Sequence, residues 1–315
     1  MRRRLRILTW HVHGNYLWYL TQAPHDFYLV TDRPHTAGRS GRSGSLPWGD
    51  NVHEAPVAAI RRMAFDLVLF QSRREYEEEQ YELLSPSQLK LPRVYLEHDP
   101  PRESPTETRH WVDDPNALLV HCTHFNALMW NNGRTPVRVV EHGVKLLQPA
   151  RYTGRRAMGI VVVNNLDTRG RRLGADVFAQ LRAQVPLDLV GLGAERMDGL
   201  GSIDNAQLPA LMAEYRFFFH PIRYTSLGLA LIEAMMVGVP IVGLSTTELP
   251  SVIRDGYNGF CDTRLDRLQQ MMKRLIAEPE EARRMGEAAR RTAEERFHID
   301  RFVRDWNDVL AEATA

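Results

Sequence analysis

Cysteine is almost absent from this sequence: Cys122 and Cys261 are the only two, and they lie far apart in the chain. Such a pair makes neither a disulfide framework nor a cysteine-based zinc pattern, and it fits a reducing cytoplasm. Long apolar runs are lacking as well. No stretch approaches the ~20 apolar residues needed to span a bilayer, and the run after the basic start MRRRLRILTW is too short for a secretory leader. Net charge is missing too, because 40 basic residues against 39 acidic ones leave +1. No overall field therefore advertises nucleic acid as a partner. The chain contains no G-x-S-x-G elbow, no His-Glu-x-x-His and no G-x-G-x-x-G after its first apolar run. These absences argue against nucleophile hydrolases, zinc hydrolases and dinucleotide oxidoreductases.

What remains is ordinary globular material: 25% charged residues, 43% from the AVILMFWYC set, and 315 residues, comfortable for two domains with real cores. Arg2, Arg3, Arg4 and Arg6 read as a solubilising flank before a first strand; weak contact with anionic lipid headgroups is the sharper alternative. The expected location is the cytoplasm, at most peripheral to the cytoplasmic face of the membrane.

Short apolar runs alternate with longer helical patterns, the rhythm of parallel α/β architecture. In the first half strands are predicted at 6–10, 27–31, 66–70, 93–97, 117–121 and 137–141. Between them REYEEEQYELL (74–84) reads as a helix with a solvated face. The segment RPHTAGRSGRSGSLPWGD (33–50) is rich in Gly, Ser and Arg and has no periodicity. It is expected to be a mobile surface loop, with an anion-attracting substrate loop as the alternative. Composition shifts to Pro, Gly and Arg over 146–159, which predicts a domain boundary there: 1–150, then 151–295, then a helix over 296–315 packing back toward the first domain. The second half restarts the rhythm with strands at 159–163, 187–191, 215–220, 239–243 and 259–262. A charged helix from Glu280 to about Arg296 and another from Asp300 to Glu312 follow. The fold class is α/β, two Rossmann-like doubly wound domains facing a central cleft, with ligands at the carboxyl ends of the strands.

The segment TSLGLALIEAMMVGVP (225–240) holds one carboxylate, Glu233, in an otherwise apolar helical run. A helix apolar all round is normally buried, and a buried carboxylate is costly without a partner. A helix is expected to begin near Ser226, capped by Thr225 or Ser226. Gly228 would then lie in its first turn, where a ligand can approach the backbone. Free amides and the positive dipole end make such a start an anion site. Glu233 would sit ~12 Å further along at ~1.5 Å per residue, roughly the reach from a pyrophosphate to a ribose. The alternative is a glutamate satisfied within the protein.

The longer stretch HPIRYTSLGLALIEAMMVGVPIVGLSTTELPSVIRDGYNGF closely resembles the donor-binding region of family 4 glycosyltransferases (glycosyl transferases group 1), which have the two-domain GT-B fold. Pro221, Gly228, Leu229, Glu233, Ala234, Met235, Gly238, Pro240, Gly256, Asn258 and Gly259 fall on the family pattern in register. The likeness continues through RRMGEAARRTAEERF, and more faintly EHGV (141–144) resembles the family's interdomain segment. The N-terminal half matches only by architecture.

This resemblance implies a nucleotide-diphosphate-sugar donor held mainly by the second domain, an acceptor domain in the first half, and sugar transfer with retention of configuration and no essential metal or cofactor. It implies that Glu233 holds the ribose hydroxyls and that the backbone amides of Leu227, Gly228 and Leu229 meet the diphosphate. Thr225 and Ser226 belong to the same donor-binding segment. Thr225 replaces the family's first glutamate, so a hydroxyl stands where a charge usually meets the sugar. After the first strand of this domain the family often carries Arg and Lys for the pyrophosphate; this chain reads NNLDTRGRRLGAD (164–176), with Asn165 at the Arg position. Arg169, Arg171 or Arg172 can supply the charge instead, since a guanidinium suits phosphate; solvated loop arginines are the alternative.

In WHVHGNYL, His11 and His13 share a face if the first strand continues, and they are candidates for the acceptor side. Gly14 and Asn15 match the family's glycine-containing first loop and are expected to line the donor cleft. In YLEHDPPRE, His98 follows a strand where many members carry a histidine that reaches the donor sugar, which makes it the catalytic candidate. A histidine capping the strand end is the alternative. The expected partners are a nucleotide-sugar donor and a glycan, lipid-linked or small-molecule acceptor. Alternatives are a sugar-nucleotide epimerase or phosphorylase on the same fold, or a non-catalytic nucleotide-sugar-binding protein, for which Thr225 is the best argument.

Overall fold

The structure is a computed structural model that describes residues 3–33 and 35–315; Arg2 of the basic flank lies outside the described residues. The chain divides into two compact units, Met1–Gly143 together with Ile299–Ala315, and Val144–His298.

The first unit is a seven-stranded parallel sheet of β1 (Arg6–Thr9), β2 (Asp26–Thr31), β3 (Val52–Pro56), β4 (Leu67–Phe70), β5 (Arg93–Glu97), β6 (Ala117–His121) and β7 (Val137–Val139), in the order β3-β2-β1-β4-β5-β6-β7. Its short helices are α1 (Gly14–Leu20), α2 (Gln80–Leu83) and α3 (His124–Met129). Strands β4 and β6 are buried along their whole length, as expected of parallel strands covered on both faces. Strand β3 is the one the sequence reading missed. VHEAP holds a charge and a proline, and it pairs only with β2 at the sheet edge, the one place where proline is tolerated.

The second unit orders β8 (Arg156–Val162), β9 (Leu187–Val190), β10 (Tyr215–His220), β11 (Ile241–Leu244) and β12 (Gly259–Asp262) as β12-β11-β10-β8-β9, again all parallel. Its helices are α4 (Leu166–Leu173), α5 (Ala175–Arg182), α6 (Leu208–Met212), α7 (Leu229–Val237), α8 (Leu249–Val252), α9 (Leu265–Ala277) and α10 (Pro279–Arg296). Central strand β10 buries Phe217, Phe218 and Phe219, each contributing roughly 1.5–3 kcal/mol. Its one charge, Arg216, is also buried and donates to Gly154 O (2.9 Å) and to Ile276 O (2.7 Å) at the carboxyl end of α9. The last helix, α11 (Ile299–Ala313), belongs to the first unit, where Trp306 Nε1 donates to Tyr16 Oη at 3.2 Å and Arg301 donates to Glu141 O.

The division between units falls at Gly143/Val144, ahead of the Pro/Gly/Arg-rich stretch at 146–159. Val144 is already tied into the second unit, its N–H donating to Phe297 O at 2.9 Å. The return to the first unit comes at Ile299, because α10 continues to Arg296.

One expectation about surface segments is corrected. Segment 33–50 is pinned rather than a free excursion: isolated bridges join His11 to Gly38 and Thr31 to Ser40, and the Arg39 guanidinium donates to the buried Glu79. The 74–84 stretch forms a π turn (Glu75–Glu79) running into α2 with the expected solvated face, Arg74, Glu77, Glu78, Tyr81 and Glu82 being exposed, while Glu75, Glu79 and Gln80 are buried. Glu79 accepts the Trp10 indole N–H at 2.7 Å, and Glu75 accepts the Gln71 and Ser72 amides.

Helix α7 is apolar around its whole circumference and packs against α10, α6 and the sheet. The closest approach is at Gly286, where an added Cβ would overlap the carbonyl of Gly238, the left-handed residue (φ 90°) that ends α7. Backbone cannot yield as a flexible side chain does. Gly286→Ala is expected to lower stability by roughly 1–3 kcal/mol, the usual range for overpacking, read as a drop in the urea unfolding midpoint.

Candidate functional site

Ligands of open α/β sheets bind at the carboxyl ends of the strands where the strand order reverses. In the second unit this point lies between β8 and β10. Two segments meet there. The chain after β8 turns through Asn164 and Asn165, the latter left-handed at φ 51°, into α4. The chain after β10 runs from Pro221 to Gly228 into α7. The Arg172 carbonyl ties them together by accepting the N–H groups of Arg223 and Tyr224, both at 3.1 Å.

Helix α7 starts at Leu229 with Gly228 as N-cap, and no side chain caps it. This corrects the expected start near Ser226: Thr225 and Ser226 lie in the non-helical approach, Thr225 half-buried and Ser226 buried. Leu227 is buried and Gly228 and Leu229 are half-buried. A Cβ built on Gly228 meets nothing within 4 Å, so the glycine is not required by packing. Glu233 stands one helical turn in, roughly 6 Å along the axis from Leu229, and is 6% exposed.

The arginines expected to carry positive charge are differently placed. Arg171 is spent on Asp176 at 2.6 Å, the carboxylate that also holds Arg223 through both oxygens. Arg172 donates weakly to Tyr224 O (3.5 Å), and Arg169 lies in the same helix α4. One basic residue escaped the sequence reading: Arg196, after β9, donates to the Asn165 side chain at 3.1 Å and to both oxygens of Asp167. Nothing in the sequence near Asn165 announces it, because the contact joins residues from different connections.

In the first unit the strand order reverses between β1 and β4, and a cavity of about 910 Å³ opens at the carboxyl ends of β1, β4 and β5. His13, Gln71, Glu97 and His98 line it, with Tyr95, Trp111 and Trp130 among its walls. Strand β1 ends at Thr9, so His11 and His13 do not share a strand face as expected. His11 turns to segment 33–50, with Nδ1 2.7 Å from Gly41 O and its ring against Trp48. His13 packs on His98 with ring centroids 4.2 Å apart. Gly14 begins α1 under His11 and Leu46, and Asn15 follows it.

His98 is fixed through Gln71. The Gln71 Nε2 group donates to Thr9 Oγ1 (3.1 Å) and Trp10 O (2.8 Å), leaving Oε1 to accept from His98 Nε2 at 3.2 Å. His98 thus carries its hydrogen on Nε2. Burial, with His13 and His142 beside it, holds its pKa well below the ordinary value, so the ring is neutral. Glu97 and Gln71 were both missed. The signal was present in RVYLE and DLVLFQ, where a polar residue closes an apolar strand.

Among the described residues, no group of three or more His, Cys, Asp or Glu is placed to hold a metal ion. No helix among them is long and apolar enough to cross a membrane. Arg3 and Arg4 of the basic flank pair with Asp66 and Asp26, and Arg6 lies over the Tyr28 ring.

Two parallel-sheet α/β units of this kind define the GT-B class. Sucrose-phosphate synthase from Thermosynechococcus elongatus aligns over 98% of this chain and 99% of its own, with TM-score 0.73 and 14% identity. HepE from Anabaena, solved in complex with UDP-glucose, aligns over 98% and 100%, with TM-score 0.69 and 16% identity. Residues 192–292 match the family Glycosyl transferases group 1, so the second unit carries that family's signature on a GT-B fold. An MMP alpha-(1->4)-mannosyltransferase from Mycolicibacterium hassiacum is 32% identical over 118 residues, 36% of this chain and 26% of that protein. An O-antigen chain mannosyltransferase B from Escherichia coli is 43% identical over 56 residues, 18% of this chain and 15% of that protein. The chain thus matches about a quarter or less of these curated relatives.

Buried carboxyls of the first unit and buried histidines of both units give the chain a pH signature. Burial pushes Glu75 and Glu97 up from 4.5 to about 8. A raised carboxyl favours the folded state below the unfolded pKa and loses that contribution as pH climbs from about 4.5 toward 8. The buried histidines act oppositely: His110 (pushed down to about 3) and His121 and His220 (about 4) cost stability as pH falls below 6.5. Comparing two proteins that share those histidines isolates one carboxyl. Glu75→Gln keeps an acceptor for the Gln71 and Ser72 amides, so its urea stability is expected to fall less than the parent's between pH 5 and pH 8. Parallel curves would show that Glu75 is not the titrating group.

Proposed function

We propose that this protein is a glycosyltransferase that moves a sugar from a nucleotide-diphosphate sugar to an acceptor hydroxyl, with retention of anomeric configuration and no essential metal. The observation that carries the reading is Glu233: a buried carboxylate one turn into an otherwise apolar helix, at the strand-order reversal of the unit that matches Glycosyl transferases group 1. A carboxylate there accepts hydrogen bonds from a ribose diol, while the N–H groups of Leu227, Gly228 and Leu229 meet the diphosphate. Charge developing on the departing diphosphate is offset by the amide end of α7 and by an arginine of the adjoining loops, Arg169, Arg171 or Arg172. The leaving phosphate takes the acceptor proton, so no side-chain base is assigned. Two of the curated relatives are mannosyltransferases by name, and HepE was solved with UDP-glucose, which supports a hexose donor. The first unit holds the acceptor, His98 and His13 lie at its cavity, and the cytoplasm is the compartment that supplies the donor.

Thr225 favours a second reading, a binding protein that holds the donor without transferring it, because a hydroxyl replaces the charge that usually meets the sugar. Donor binding with no product against a broad acceptor panel would establish it. An epimerase or phosphorylase would show turnover without any acceptor.

Calorimetry with UDP, GDP and ADP tests the site. One of them is expected to bind, with Glu233→Ala weakening it by roughly 10–100-fold, the loss of hydrogen bonds to a charged group. Gly228→Ala is expected to weaken it as well while leaving the unfolding midpoint unchanged, since only a ligand meets the added Cβ. Unchanged nucleotide affinity in both variants would end the assignment. Transfer that vanishes on chelating divalent ions would contradict the metal-independent scheme.

A further inference from the structure

The first-unit cavity has a chemistry of its own, and its most constrained group is Glu97. His110 Nδ1 accepts the Val112 N–H at 3.1 Å, so the ring hydrogen sits on Nε2 and is donated to Glu97 Oε2 at 3.2 Å. The Asp99 N–H donates to the other oxygen, Oε1, at 2.9 Å. The carboxyl is thus held from two sides, and it is 7% exposed. It lines the cavity.

Around it stand two further features. Tyr95, Trp111 and Trp130 are among the cavity's lining residues, with the Arg73 guanidinium over the Trp111 ring at 5.5 Å. Besides Glu97, which burial pushes up to about 8, the charges that line the cavity are three arginines against four carboxylates. The arginines are all engaged: Arg73 with Glu77 at 2.6 Å, Arg102 with Asp99, and Arg109 with Asp113. Glu103 and Glu107, exposed at the rim, have no ion-pair partner among the described residues. A ligand carboxylate or phosphate would meet uncompensated negative charge there and no unengaged guanidinium.

We propose that this cavity is a saccharide subsite in which Glu97, braced by His110, hydrogen-bonds a ring hydroxyl, and which admits uncharged and amino sugars while rejecting sugar acids. The inference deepens the reading of the first unit as the acceptor side and rests on it. Glu97 is a binding and positioning group here; no proton transfer is asked of it.

The test titrates the full chain with methyl α-D-glucopyranoside, glucosamine and glucuronic acid, following tryptophan fluorescence, since Trp111 and Trp130 line the cavity. The neutral and amino sugars are expected to give saturable signals, and the acid to bind at least about tenfold more weakly. Glu97→Ala is expected to abolish the signal and Glu97→Gln to restore most of it, since the amide oxygen still accepts. A purely structural glutamate would not show that rescue at unchanged unfolding midpoint. Glu103→Lys combined with Glu107→Lys, both on the surface, is expected to narrow the discrimination against glucuronic acid. No saturable response to any sugar, glucuronic acid binding as well as the glucoside, or Glu97→Ala binding like the parent would each overturn the proposal. Nucleotide titration of the same samples reads the donor assignment separately: nucleotide binding without sugar binding overturns the subsite alone, and the reverse overturns the donor reading alone.

Discussion

Everything proposed for the second unit depends on one packing constraint: an apolar helix held so tightly that its single carboxylate has a fixed address. Helix α7 meets α10 backbone to backbone at Gly238 and Gly286 and packs on β10 and β11 with its remaining sides. Burying a carboxylate costs free energy that the apolar residues around it do not incur. The helix is buried by its leucines, isoleucine and methionines, and Glu233 is carried in with them. The start of α7 is left without a side-chain cap from its N-cap residue, Gly228.

The two sheets use the same device at different positions. Each reverses its strand order once, and each gathers polar groups at the carboxyl ends of the strands flanking the reversal. In the second unit the groups are backbone amides, a carboxylate and loop arginines, a set that suits a nucleotide diphosphate. In the first unit they are Gln71, Glu97, His98 and aromatic rings, a set that suits hydroxyls. The hydrogen-bond chain from Thr9 and Trp10 through Gln71 fixes the His98 tautomer, and the Val112–His110 contact fixes that of His110. The orientation of each ring is thus set by backbone groups and by other strands.

Much of this was legible in the sequence, for a physical reason. Parallel strands buried on both faces leave continuous apolar runs, so eleven of the twelve strands among the described residues stood out, and the register of the 221–259 motif placed Glu233 inside a buried helix. What was not legible shares a different reason: it depends on partners distant in the chain. Strand β3 is defined by its neighbour β2 more than by its own residues. The run EYEEE shows a solvated face, but which of its glutamates turn inward is settled only by Trp10 and the Gln71 amide beside Glu79 and Glu75. Segment 33–50 reads as loose until Arg39 finds Glu79. The start of α7 was misplaced because a glycine N-cap leaves no side-chain signature, whereas the nearby Thr225 and Ser226 look like caps.

The central claim is that Glu233 holds the ribose of a nucleotide whose diphosphate rests on the start of α7. The most direct measurement is a crystal structure of the full chain with the nucleoside diphosphate that binds best. The account expects the ribose hydroxyls within hydrogen-bond reach of the Glu233 carboxylate and the phosphates against the N–H groups of Leu227, Gly228 and Leu229. A nucleotide seated away from α7, or one that leaves Glu233 untouched, would contradict it.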